Sequence, residues 1–137
     1  MATPQATGLA HIAVWTADRR RSLSFYVDLL GFSLVYETTM GNMQYSLVKA
    51  GGCVVELLHV PGRTVGAPAP QAALEHFAIE VRGIEELVGR LRGAGYNPGD
   101  VFTIADLLGG VKGSFLDGPN GERIELFQYA ARPAFLS

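Results

Sequence analysis

The chain has 137 residues, 48% hydrophobic and 18% charged, with a formal charge of −2. This length and balance fit one folded domain with its own core and exclude a disordered chain. The basic residues are scattered, which argues against nucleic acid or an anionic membrane as partner, and no apolar run approaches the roughly 20 residues that span a bilayer.

The start, Met1 to Gly8, lacks a basic region followed by an apolar block, so it does not read as a secretory signal. The segment Leu9-Ala10-His11-Ile12-Ala13-Val14 reads as a first strand. Alternate side chains of a strand share a face, so His11, Ala13 and Trp15 stand opposite Ile12 and Val14. The apolar pair packs under a helix, which turns His11 to the concave side. Asp18 is a fitting N-cap for that helix. Its Leu23, Tyr26, Val27 and Leu30 fall at i, i+3, i+4 and i+7, and Gly31 stops it. Strands follow at Ser33 to Glu37, Gln44 to Lys49 and Cys53 to His59, with Gly51-Gly52 as a hairpin turn. Val55 and Leu57 flank Glu56, so this carboxylate shares the side of His11, while His59 faces the other way. Cys53 is the only cysteine and has no basic activator. It reads as a small core residue, and its solitude favours a reducing cytoplasm. Pro61 to Gln71, with three prolines, reads as a linker.

The pattern then recurs. Leu74-Glu75-His76-Phe77-Ala78-Ile79 repeats the first motif, and Ile124-Glu125-Leu126 repeats Val55-Glu56-Leu57. The offsets are 76 − 11 = 65 and 125 − 56 = 69, so four residues are inserted within the second copy. Ile84, Leu87, Val88 and Leu91 mark its helix and Gly95 its stop. Strands are expected near Asp100 to Ile104, at Val111 to Leu116 and at Arg123 to Tyr129. Asp117-Gly118-Pro119-Asn120-Gly121 turns the last hairpin. Ile104 to Gly110 reads as a lid or as an irregular edge. His76, Ala78, Glu80 and Glu125 face the concave side.

The expected fold is α+β: two βαβββ modules forming a cupped mixed sheet with helices on the outer face. Residues 1–137 make a single domain, with module 1 at about 8–60, a linker at 61–71 and module 2 at about 72–130, since ~60 residues alone bury too little surface. A strand carboxylate between apolar neighbours is costly unless a cation or donor meets it. One histidine and one glutamate at the repeated position of each copy offer that cation. His11, Glu56, His76 and Glu125 are therefore expected to converge on one divalent metal ion, with Zn, Ni, Co, Mn or Fe all suiting two imidazoles and two carboxylates.

As a set, these landmarks resemble the vicinal oxygen chelate superfamily of glyoxalase I, methylmalonyl-CoA epimerase, extradiol dioxygenases and antibiotic-resistance proteins. The carriers are His11-Ile12-Ala13-Val14, Ser24-Phe25-Tyr26 leading to Leu30-Gly31-Phe32, Val55-Glu56-Leu57, His76-Phe77-Ala78, and the Asp117 to Gly121 turn before Ile124-Glu125-Leu126. The resemblance implies that the four residues match the metal ligands of bacterial glyoxalase I. It also implies that Glu125 and Glu56 are the proton-moving carboxylates of metal-stabilised enediolate chemistry. Tyr45 matches that enzyme's third strand, and a homodimer is implied. Two departures concern glutathione: Trp15 stands where an arginine is usual, and Val60 where an asparagine is usual. The pocket is then more apolar, with Phe127, Leu58 and Val54 as walls and Arg123 and Glu80 as polar exceptions. The resulting expectation is a glyoxalase-like lyase or isomerase acting on a small carbonyl or thioester. An epimerase like that for methylmalonyl-CoA is the first alternative. A metal-free drug-binding protein, with Trp15 and Phe127 stacking on a flat ligand, is the second.

Overall fold

A computed structural model describes residues 4, 7–66 and 73–136. The second half of the expected linker, 67–71, and the expected start of module 2 at 72 lie outside the described residues. The first module runs β1 (Ile12–Trp15), α1 (Arg19–Leu23) continued by a π-helical segment (Ser24–Leu29), β2 (Ser33–Met40), β3 (Met43–Ala50) and β4 (Cys53–His59). The second runs β5 (Phe77–Glu80), α2 (Ile84–Gly93), β6 (Phe102–Ile104), β7 (Val111–Asp117) and β8 (Arg123–Tyr129). A 3-10 turn at Ala134–Leu136 follows. No helix among the described residues is long and apolar enough to cross a membrane.

Each module builds one four-stranded mixed sheet, ordered β1-β4-β3-β2 and β5-β8-β7-β6. The pairs β1·β4 and β5·β8 are parallel and the others antiparallel. The registers are equivalent: Ala13 lies opposite Glu56 and Ala78 opposite Glu125. Alternation explains why these strands hold their place. Val55 and Leu57 are buried on either side of Glu56, and Ile124 and Leu126 on either side of Glu125. A slip by one residue would drive the carboxylates into the core.

The modules share one core. Val14, Phe25, Tyr26, Phe32 and Val48 of the first belong to the same buried cluster as Ile79, Ile84, Val88, Leu91 and Leu116 of the second. This shared cluster packs the two modules against each other. Asp18 caps α1, its Oδ1 accepting from the Arg21 amide at 3.0 Å. The helix then widens: the Leu30 amide donates to the Phe25 carbonyl five residues back, at 3.0 Å. Phe25, outside the expected stripe of Leu23, Tyr26, Val27 and Leu30, is fully buried beside Tyr26. Gly31 and Gly95 end the helical segments at φ +82° and +94°, where a side chain would be strained. The Gln128 side chain of β8 caps α2, accepting from the Ile84 amide at 3.0 Å.

β2 extends past the expected Glu37 to Met40, because β3 pairs with it along that whole length. It is an outer edge, and Val35, Tyr36 and Met40 are more than half exposed. A buried polar chain links the modules under the last hairpin. The Thr16 and Ser22 hydroxyls lie 2.7 Å apart, the Asn120 amide donates to Ser22 at 2.8 Å, and the Tyr26 hydroxyl donates to Glu122 at 3.0 Å.

Candidate metal centre

The candidate ligands belong to the parallel pair of each sheet, the histidines at its entry and the glutamates within β4 and β8. His11 immediately precedes β1 and His76 immediately precedes β5. In the first module the His11 Nε2 stands 3.6 Å from Glu56 Oε2, and in the second the His76 Nε2 stands 3.4 Å from Glu125 Oε1. Both carboxylates are largely shielded, with 17% and 13% side-chain exposure, and the imidazoles are more open. Two atoms bonded to one ion at about 2.0–2.2 Å lie roughly 3 Å apart, so each pair has the spacing of a chelating couple.

Within the described chain the four expected ligands stand as two separate pairs. Among the described residues, no three His, Cys, Asp or Glu side chains gather closely enough to hold an ion. The reason lies in the sheets. Each pair stands on the open face of its own four-stranded sheet, and the two sheets are not one continuous surface. The chain thus carries two half-sites of two donors each.

The expected substrate contacts divide in the same way. Trp15, Leu58 and Tyr45 form a row across β1, β4 and β3 of the first sheet. The Arg63 guanidinium lies 3.6 Å from the Trp15 ring centre, a stacked cation from the turn after β4. Glu80, Phe127 and Gly113 form the equivalent row of the second sheet. Glu80 pairs with Arg132 at 3.4 Å, and Phe127 meets Tyr129 edge to face at 5.1 Å. The tip of the Phe102 ring crowds Gly113, and the ring stacks on Phe115 with centres 6.0 Å apart. Arg123 donates from Nε to Glu75 at 3.1 Å and lies 4.5 Å over the Phe115 ring.

Several neighbours escaped the sequence reading. Phe115 lies opposite Glu125 in the ladder and touches the His76 ring edge to face at 5.1 Å. Counting by twos along Val111 to Leu116 would have put it on that face. Glu75 lies 2.8 Å from His76 Nδ1, and that hydrogen bond, helped by Arg123, holds its carboxyl below the usual range. Adjacency to His76 was the only available signal. His59 points elsewhere, with Nδ1 3.0 Å from the Thr16 carbonyl. Burial raises the Cys53 thiol, which disfavours the reactive thiolate. Segment 105–110 is a turn with Leu108, Gly109 and Gly110 all at positive φ, and Lys112 beyond it pairs with Glu85 at 2.6 Å.

A model of the Glyoxalase/Bleomycin resistance protein/Dioxygenase superfamily matches residues 8–126, spanning both half-sites. The chain belongs to this superfamily. Uncharacterized protein YwkD of Bacillus subtilis (strain 168) is 31% identical over 122 residues, covering 86% of this chain and 94% of that protein. Lactoylglutathione lyase of Salmonella typhimurium is 30% identical over 131 residues, covering 88% and 91%. The fold matches FosX, a fosfomycin resistance protein from Listeria monocytogenes solved with Mn(II) and sulfate, at a TM-score of 0.69 and 12% identity, covering 92% and 95%. The superfamily thus includes lyases and resistance proteins on one scaffold, and function must be argued from the site.

Proposed function

We propose that the protein is a metal-dependent, glyoxalase-like lyase or isomerase for a small carbonyl or thioester substrate, with each metal centre completed between two copies of the chain. The observation that carries this reading is the repeated couple of imidazole Nε2 and carboxylate oxygen, one per module, at 3.6 and 3.4 Å. Two donors alone hold an ion poorly, since catalytic sites commonly use three or more protein ligands. A two-fold dimer would set the first-module couple of one copy against the second-module couple of the other and complete both centres together. His11, Glu56, His76 and Glu125 would then hold a Zn, Ni, Co, Mn or Fe ion. The 30% identity to a lactoylglutathione lyase and the fold shared with a Mn(II)-loaded FosX support a divalent ion and this chemistry.

When bound, the ion supplies Lewis acidity to a substrate carbonyl oxygen. The chain supplies the proton path. Glu125 and Glu56, shielded from water, are suited to take a proton from the carbon beside that carbonyl and return it to the neighbouring carbon. The row Trp15, Leu58 and Tyr45, with Phe127 on the other sheet, favours a substrate less charged than a glutathione adduct, and Glu80 marks its polar end.

The test begins with the metal content of protein purified without added metal, then lyase activity on methylglyoxal with glutathione and proton exchange in acyl thioesters. Absence of both metal and turnover would sink the enzyme reading. Turnover of thioesters alone would make it an epimerase. The shared centre has its own test. His11→Ala and His76→Ala proteins, unfolded and refolded together, should recover about a quarter of wild-type activity, because half of the dimers carry one intact centre. No recovery would refute a centre that joins the first-module couple of one copy to the second-module couple of the other.

A further inference from the structure

We propose that Glu75, tethered by Arg123, is a positioning residue that presents the Nε2 of His76 to the metal. The assignment rests on the metal reading above and concerns an asymmetry between the two copies. The residue before the histidine is Ala10 in the first copy and Glu75 in the second. A methyl side chain cannot accept a hydrogen bond, so only the second histidine has a carboxylate supplied by its own neighbour.

The geometry forms a closed loop. His76 Nδ1 lies 2.8 Å from Glu75 Oε1, and the Arg123 Nε donates to that same oxygen at 3.1 Å. The Arg123 guanidinium lies 4.5 Å over the Phe115 ring, whose neighbour edge-on at 5.1 Å is the His76 ring. Each member thereby restrains the next. The far nitrogen, Nε2, is left facing Glu125 Oε1 at 3.4 Å.

Neutral imidazole has one N–H and one lone pair, and a metal takes the lone pair. An acceptor at Nδ1 keeps the proton there and leaves Nε2 as the ligating atom. A carboxylate in that role also raises the basicity of the ligating nitrogen. Arg123 orients the carboxylate rather than contacting substrate, which reassigns it from the polar pocket residue that the sequence suggested. The second-module half-site is thus pre-organised.

The test uses cobalt(II) as probe on wild-type, Glu75→Ala, Glu75→Gln and His76→Ala proteins. Glu75 is 70% exposed in its side chain, so these substitutions at position 75 should not disturb folding. Cobalt affinity, from competition with a chelator, should fall about 10–100-fold in Glu75→Ala, with Glu75→Gln between it and wild type because the amide oxygen still accepts. In proton spectra of the cobalt protein, the imidazole N–H signal lost in His76→Ala should also be lost to solvent exchange in Glu75→Ala and persist in Glu75→Gln. Cobalt bound by wild type and Glu75→Ala with equal affinity, and an unchanged signal, would overturn the role of Glu75 alone. No cobalt bound by wild type would overturn the metal reading beneath it.

Discussion

Tyr26→Phe tests the tie between the modules. The substitution removes a hydroxyl and keeps the ring, so no sizeable cavity opens. The hydroxyl is fully buried and donates to Glu122 at 3.0 Å, and Glu122 itself is only 8% exposed. The carboxylate keeps the Asn120 backbone amide at 2.7 Å on Oε1 and the Asn120 side chain at a longer 3.3 Å on Oε2. A hydrogen bond to a charged group contributes about 1.5–3 kcal/mol, and the remaining weak donor on Oε2 places the loss near the lower end, about 1.5–2 kcal/mol. Urea unfolding at neutral pH should show a lower midpoint with an unchanged slope. The pH dependence supplies a second reading. Burial, then the charge of Glu122, raises the Tyr26 hydroxyl well above its ordinary value. The folded chain therefore keeps a proton that the unfolded chain releases above about pH 10, and stability falls as pH rises beyond that point. Tyr26→Phe lacks this component, so its deficit against wild type should narrow above about pH 10. A loss under about 0.5 kcal/mol at neutral pH would refute the claim that this bond joins the modules, since that is the level of an ordinary surface substitution.

Gly113→Ala should cost about 1–3 kcal/mol, because its new methyl group would strike the Phe102 ring, whose Cε2 lies 2.7 Å from the added carbon. Adding Phe102→Leu should restore most of that loss in urea unfolding, and a neutral single substitution would contradict the packing. His76→Ala should weaken metal binding by more than the ~10–100-fold carried by residues that only support a ligand. His59→Ala should leave the ion bound and cost about 1 kcal/mol of stability through the lost contact with the Thr16 carbonyl. Equal metal retention in the two histidine variants would count against His76 as a ligand.

Where the sequence was legible, one period explained both fold and face. The middles of β4 and β8 follow from alternation around Glu56 and Glu125, where Val55 and Leu57, and Ile124 and Leu126, are buried. The end of β2 did not, because Thr38, Thr39 and Met40 carry no alternation and their strand state comes from pairing with β3. The π-helical widening was equally hidden. Leu23, Tyr26, Val27 and Leu30 satisfy an ordinary helix, and the burial of Phe25 against Tyr96, with ring centres 4.9 Å apart, is a tertiary event. Glu122 carries no signal in the sequence, because its buried partner, Tyr26, lies 96 positions away.

The same distinction bears on the site. Alternation assigns a side chain to one face of its own sheet, which is why His11 with Glu56 and His76 with Glu125 were each readable as a pair. It carries no information on how two sheets are set against each other, and among the described residues the two pairs stay apart. Two half-sites of two donors each on one chain have a simple consequence under symmetry. An isologous dimer that joins a first-module pair to a second-module pair must make the reciprocal junction too, so no pair is left unmatched. An arrangement joining like to like would instead give two unequal centres, one with both copies of His11 and Glu56 and the other with both copies of His76 and Glu125. Refolded mixtures of His11→Ala and His76→Ala separate these cases. Reciprocal junctions restore an intact centre in the mixed dimer, whereas like-to-like junctions leave one lesion in each centre.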